Sequence, residues 1–287
     1  MYTHLISVEQ LQLLQTSGKP LMVFDCSFDL SDPALGAAMF AEAHIPGAVH
    51  ADLDRLLSSK DAQRRASGGR HPLPLREDFA AALQAIGFRN DMQAVVYDRN
   101  GNNYCGRLWW MLNWLGHEAV AILDGGLATW KAAGLPLESG TVTSSSSNAP
   151  FVIGASRVRL ADTASVVAGL EQPQHTLIDS RGPARYSGAE EPIDPVAGHI
   201  PGALSRPFPL NMDAEGRFKP AAQLRQEFAQ LLQGRDPAGV TIHCGSGVSA
   251  VPNIVAMELA GLPRPALYAG SWSEWCTTEP ALPVERG

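Results

Sequence analysis

At 287 residues the chain is long for one hydrophobic core and comfortable for two domains of about 140 residues each. Its 45% apolar and 18% charged content is ordinary for a globular protein, and no apolar run approaches the roughly 18 residues a membrane span needs. A net charge of -7 argues against a nucleic-acid binder, whose affinity comes largely from Lys and Arg on phosphates, but leaves room for a small anion held by one or two local cations.

In chain order, an apolar run at 21–26 reads as a strand, and His44-Ile45-Pro46-Gly47-Ala48 follows it. A helical pattern at 78–86 places Phe79, Leu83 and Ile86 on one face; a strand at 94–98, a helix at 107–115 and a strand at 119–123 complete the first half. The stretch from Glu138 to Pro150 is small, polar and aperiodic, as a flexible linker is. Beyond it come a strand at 176–179, then His199-Ile200-Pro201-Gly202-Ala203, 155 residues after its first copy. A helix at 220–233, with Leu224, Phe228, Leu231 and Leu232 on one stripe, precedes strands at 239–243 and 265–269, which flank a helix at 251–259.

The strand candidates are apolar throughout rather than alternating, as strands covered on both faces are. Ala94-Val95-Val96-Tyr97-Asp98 answers Val240-Thr241-Ile242-His243-Cys244, and Gly125 with Trp130 answers Gly270 with Trp275. An ordered set of matches at nearly constant offset marks a duplication. The expectation is an α/β chain of two tandem domains, each a mainly parallel sheet flanked by helices: 1–138, a linker at 139–155, and 156–287.

In such sheets ligands bind beyond the carboxyl ends of strands, and positions 98 and 244 are such ends. After the strand at 239–243 comes Cys244-Gly245-Ser246-Gly247-Val248-Ser249. Gly245 and Gly247 let the backbone turn tightly and aim successive N–H groups inward, and the following helix adds the positive end of its dipole. A cysteine at the mouth of such a loop has its nucleophilic thiolate form favoured. The bland alternative is a buried cysteine beside a glycine turn. Pro252 is tolerable only in the first helical turn. Cys26, Cys105 and Cys276 form no Cys-x-x-Cys with each other or with Cys244 and show no zinc-ligand spacing; a cysteine nucleophile of this kind needs no metal or organic cofactor, and none is expected. Cys26, Cys105 and Cys276 read as structural, although the Asn-Asn-Tyr-Cys-Gly setting of Cys105 looks exposed and open to oxidation. The opening Met1-Tyr2-Thr3-His4-Leu5 lacks the basic and apolar pattern of a secretory signal, so a cytoplasmic protein without disulfides is expected.

The duplicated His-Ile-Pro-Gly, the strand leading into Cys244 and the segment Tyr268-Ala269-Gly270-Ser271-Trp272-Ser273-Glu274-Trp275 resemble the tandem-domain rhodanese family over nearly the whole chain. The loop is similar to the Cys-Gly-Ser-Gly-Val-Thr loop of the family's 3-mercaptopyruvate sulfurtransferases. The resemblance implies that Cys244 is the one live nucleophile, with Asp98 at the silent position, and that sulfur passes from a small-molecule donor to a thiol, thioredoxin or cyanide. The loop residues Gly245, Gly247, Val248 and Ser249 would line the substrate. No cation lies in the loop, which favours 3-mercaptopyruvate over the thiosulfate dianion, and Ala250 stands where a Cys-x5-Arg phosphatase needs its arginine.

The resemblance further assigns Arg185 to the donor carboxylate, a role that a planar two-pronged donor suits. Arg181 reads as a fold residue paired with Asp179 or another carboxylate. Where the family carries a second substrate arginine, this chain has Pro192, so another cation such as Arg206 or Arg70 has to reach the site. A Ser-His-Asp relay in the family matches Ser246, His71 and Asp52, set against a loop hydrogen bond, a surface histidine and a helix cap respectively. His44 and His199, recurring in both halves, read as structural. Thiosulfate:cyanide sulfurtransferase is the near alternative; a non-catalytic persulfide carrier or redox sensor is the alternative of another class. No nucleic-acid or membrane partner is expected.

Overall fold

The computed structural model describes residues 1–142 and 149–287. Residues 143–148 of the expected linker lie outside the described residues. The chain forms two compact units, one of Met1–Ala66, Pro74–Arg157 and Ala214–Phe218, the other of Ser67–Leu73, Val158–Asp213 and Lys219–Gly287.

In the first unit the strands are β1 (Leu5–Ile6), β2 (Leu21–Asp25), β3 (Val49–His50), β4 (Gln93–Tyr97) and β5 (Val120–Leu123), with helices α1 (Val8–Thr16), α2 (Pro33–Glu42), α3 (Arg76–Ala85), α4 (Cys105–Trp114) and α5 (Gly126–Ala132). They form one parallel sheet in the order β1-β5-β4-β2-β3. The second unit has β6 (Arg159–Ala161), β7 (Thr176–Asp179), β8 (Leu204–Ser205), β9 (Val240–His243) and β10 (Ala266–Tyr268), with α6 (Thr163–Gly169), α7 (Pro183–Ser187), α8 (Ala221–Leu232), α9 (Val251–Leu259) and α10 (Ser271–Trp275). Its sheet is also parallel, in the equivalent order β6-β10-β9-β7-β8. The duplication read from the sequence is therefore a duplication of topology.

The inner strands β4, β5, β7 and β9 are buried along their whole length, which is why their sequences carry no polar alternation. α3 buries Phe79, Ala80 and Leu83, and α8 buries Leu224, Phe228 and Leu232, the faces that helical spacing sets. α9 begins at Val251, so Pro252 occupies the first turn, where its missing N–H has no helical partner. The outer strands β1, β3, β6 and β8 are two or three residues each, too short for a periodicity to announce them.

His44 and His199 have matching structural jobs. Nδ1 of each pairs with a backbone oxygen at 2.8 Å, that of Phe40 and that of Tyr186, and each ring stacks on the ring of that same residue. Arg181 is buried and tied to Asp179 through Nε and Nη2, with its guanidinium over Trp272, 4.6 Å from the ring centroid. Burial pushes the Asp179 carboxyl up, but His243 and Arg181 beside it more than offset this and leave it below its ordinary value. Cys105 corrects an expectation: it is fully buried at the start of α4, and burial beside Asp98 pushes its thiol well up. The Asn-Asn-Tyr run before it looks exposed in sequence, but Asn102 is buried, Asn103 and Tyr104 are half-buried, and α4 is buried along its whole length. All four cysteines are unpaired. Among the described residues, no helix is long and apolar enough to cross a membrane.

Candidate active site

Cys244 directly follows β9 and is 2% exposed. Two layers of hydrogen bonds fix its backbone. Its N–H donates to the Ser271 hydroxyl at 3.1 Å, which donates in turn to the Tyr268 carbonyl. The carbonyls of Cys244 and Gly245 accept the N–H groups of Trp272 and Ser273, at 3.0 and 2.9 Å. The first turn of α10 therefore holds the nucleophile loop from behind. Ser271 adopts a left-handed backbone, φ 55°, where a side chain is disfavoured; the residue 145 positions earlier, Gly126, has φ 59° with no side chain to strain. The serine accepts that strain and in return supplies the hydroxyl under Cys244.

The loop turns the Ser246 N–H onto the sulfur, with N···Sγ 3.4 Å. Gly247 has φ +73°, and a methyl group there would run into the Ala269 carbonyl oxygen, so only glycine fits. Val248 is buried and accepts the N–H of Val251, while Ser249 is half-buried. The Ser246 hydroxyl lies 2.8 Å from Nδ1 of His71, and both residues are buried. His71 belongs to Ser67–Leu73, which packs with the second unit. Asp52 belongs to the first unit, where its Oδ1 accepts the N–H groups of Asp54 and Arg55, as a cap does.

Two guanidinium groups lie beside the loop. A methyl group on Gly245 would sit 3.1 Å from Nη2 of Arg70 and 3.3 Å from Nη1 of Arg185. Arg185 projects from α7, and Glu191 and Asp194 accept from its Nε and Nη2. Asp194 also accepts from Nη1 of Arg70 at 2.6 Å, so one carboxylate spans both arginines. Pro192 is exposed, between these two acids in sequence. Arg206 is held by Asn211 and Glu227 and lies over Phe228, so of the two it is Arg70 that lies with Arg185 beside the loop. Sequence reasoning missed Ser271, Ser273, Glu191 and Asp194. Ser271 alone had a signal, a serine where the repeat has a glycine; the acids support a cluster that only the fold assembles.

Below the loop, burial keeps the His243 imidazole pKa below its ordinary value, against the pull of Asp179. In the first unit Asp98 stands at the position of Cys244. Its carboxylate accepts the N–H groups of Asn100, Asn102, Tyr104 and Cys105, so a resident acid fills that loop. Burial nonetheless holds its pKa above the ordinary carboxylate value. Among the described residues no cluster of three or more His, Cys, Asp or Glu is placed to hold a metal ion.

Two copies of one parallel α/β unit, with a cysteine closing the strand end in the second copy and an acid in the first, define a rhodanese-like protein. The chain matches the Rhodanese-like domain family over residues 7–133 and again over 162–278, and belongs to it. It is 48% identical over 284 residues, 99% of this chain and 98% of its relative, to a Pseudomonas aeruginosa protein named "Probable 3-mercaptopyruvate sulfurtransferase". It is 35% identical over 263 residues, 84% of this chain and 75% of the relative, to Arabidopsis thaliana thiosulfate/3-mercaptopyruvate sulfurtransferase 2. The crystal structure of SseA from Escherichia coli, described among the 3-mercaptopyruvate sulfotransferases, superposes with a TM-score of 0.78 at 29% identity, over 95% of this chain and all 100% of that one.

Proposed function

We propose that this chain is a sulfurtransferase moving sulfur from 3-mercaptopyruvate to a thiol, thioredoxin or cyanide through a persulfide on Cys244. The observation that carries the reading is the setting of that sulfur: a buried cysteine at a strand end, a backbone N–H aimed at it, and two guanidinium groups one residue away. The Cys244 thiolate attacks the donor sulfur, an S–S bond forms, and the C–S bond breaks with its electron pair left on carbon as the enolate of pyruvate. The proton of the donor thiol ends on that carbon, so the products are a Cys244 persulfide anion and pyruvate. N–H groups of Gly245, Ser246, Gly247, Val248 and Ser249 stabilise the charge on the outer sulfur. Arg185 holds the donor carboxylate. Ser246, backed by His71, moves the proton. The acceptor then takes the outer sulfur and restores the thiolate.

The name of the Arabidopsis relative covers both donors, but residues 245–249 bring no cation of their own to a thiosulfate dianion. Four unpaired thiols suit a reducing compartment, and we place the protein in the cytoplasm. The test is mass spectrometry after treatment with 3-mercaptopyruvate and no acceptor. The wild type gains one sulfur atom and releases one pyruvate, and Cys244→Ser does neither. Sulfur retained in the variant would remove Cys244 from the reaction, and a faster turnover with thiosulfate would reassign the donor.

A further inference from the structure

We propose that Arg70 is the second anion-binding residue of the donor site, held in register with Arg185 by Asp194. The inference rests on the reading of a carboxylate-bearing donor. The position from which a second cation is expected, 192, is a proline and is exposed. Arg70 comes from the Ser67–Leu73 segment of the same unit, and its placement is enforced twice. Its backbone N–H donates to the Ser273 hydroxyl at 2.9 Å, while the Ser273 N–H is bound to the Gly245 carbonyl at the same distance. A single serine thus couples the Arg70 backbone to the residue after the nucleophile. At the other end, Nη1 of Arg70 and Nη2 of Arg185 donate to the two oxygens of Asp194, at 2.6 and 2.9 Å.

Exposure separates the charges. The Arg70 and Arg185 side chains are 23% and 20% exposed, whereas Asp194 and Glu191 are 5% and 3% exposed. The acids sit behind and the cations face outward, each with nitrogen atoms toward Gly245. Arg181 also reaches Glu191 and is offset by Asp179, so three arginines face three acids in an electrically balanced frame that suits a single carboxylate better than a dianion. A carboxylate spanning Nη2 of Arg70 and Nη1 of Arg185 would be anchored at two points, placing its remaining atoms over the loop.

The test uses two alkylating reagents of similar shape, anionic iodoacetate and neutral iodoacetamide, and reads the ratio of their rates at Cys244. Removing one charge-assisted contact by Arg70→Gln is expected to lower the iodoacetate-to-iodoacetamide ratio about tenfold, and Arg185→Gln is expected to do the same. A merely structural role would slow both reagents alike and leave the ratio unchanged, which overturns the proposal. Should Arg70→Gln not fold, arginine modification by phenylglyoxal in the wild-type chain carries the same question. Pyruvate should shield Arg70 along with Arg185; shielding of Arg185 alone overturns the assignment. Pyruvate release from 3-mercaptopyruvate is followed in the same wild-type preparation. No release with a lowered ratio removes the donor and leaves the anion site standing; release with an unchanged ratio does the reverse.

Discussion

Replacing Gly247 with alanine sets two penalties on one atom. The residue has φ +73°, where an L side chain costs about 1–2 kcal/mol, and the added methyl collides with the Ala269 carbonyl, a backbone atom that can yield only by moving the strand end, at about 1–3 kcal/mol. Together these amount to roughly 2–5 kcal/mol, a large part of the 5–15 kcal/mol that typically holds a domain folded. Gly245→Ala is the matched control. Gly245 lies outside the left-handed region, and its methyl meets only the flexible ends of Arg70 and Arg185 at 3.1 Å or more. Urea unfolding followed by tryptophan fluorescence, to which the buried Trp272 and Trp275 contribute, reads both. Gly247→Ala should unfold at clearly lower urea and lose sulfur transfer, whereas Gly245→Ala stays within about 0.5 kcal/mol of wild type and loses donor affinity instead. A Gly247→Ala protein as stable and active as the wild type would refute the steric account of the loop.

Ser246→Ala should lower kcat with 3-mercaptopyruvate by about 100-fold or more while iodoacetamide still alkylates Cys244 at close to the wild-type rate; equal losses in both would make the hydroxyl a loop support only. Arg181→Met should cost about 3–5 kcal/mol in urea unfolding, because it leaves the buried Asp179 without its cation, and adding Asp179→Asn should recover much of the loss. Stability should also fall as pH drops below about 6.5, the ordinary histidine value. The folded-state values of His243, His117 and His175 are held low, chiefly by burial, so the unfolded chain takes up protons first. That stability is complete above the unfolded value and is lost as pH falls toward the folded ones; an unfolding profile flat from pH 7 to about 5 would contradict it.

Much of this was legible in the sequence because it is written locally. An apolar run such as Val240–His243 declares a strand covered on both faces, and the recurrence of His-Ile-Pro-Gly declares the duplication. Cys244 stood out through its two glycines and its place after a strand. What stayed hidden is made by long-range closure. Nothing local to Arg70 shows that its backbone is bound to a serine 203 residues away, or that Asp194 will span it and Arg185. The setting of Cys105 misled for the converse reason: polar neighbours imply exposure, but Asn102 is itself buried and α4 is buried on every face.

Asp98 has a consequence for how the two units answer to small molecules. Its carboxylate is a built-in ligand that saturates the loop of the first unit, so the amides of Asn100, Asn102, Tyr104 and Cys105 are already taken. Their hydrogen exchange should be slow and indifferent to any added anion. At the matching position after β9 stands Cys244, a neutral-to-anionic sulfur that meets the Ser246 N–H in place of a carboxylate, and a bound anion stabilises only a form that has room for it. Ligand-dependent protection should therefore be lopsided, gained around Cys244 and absent around Asp98.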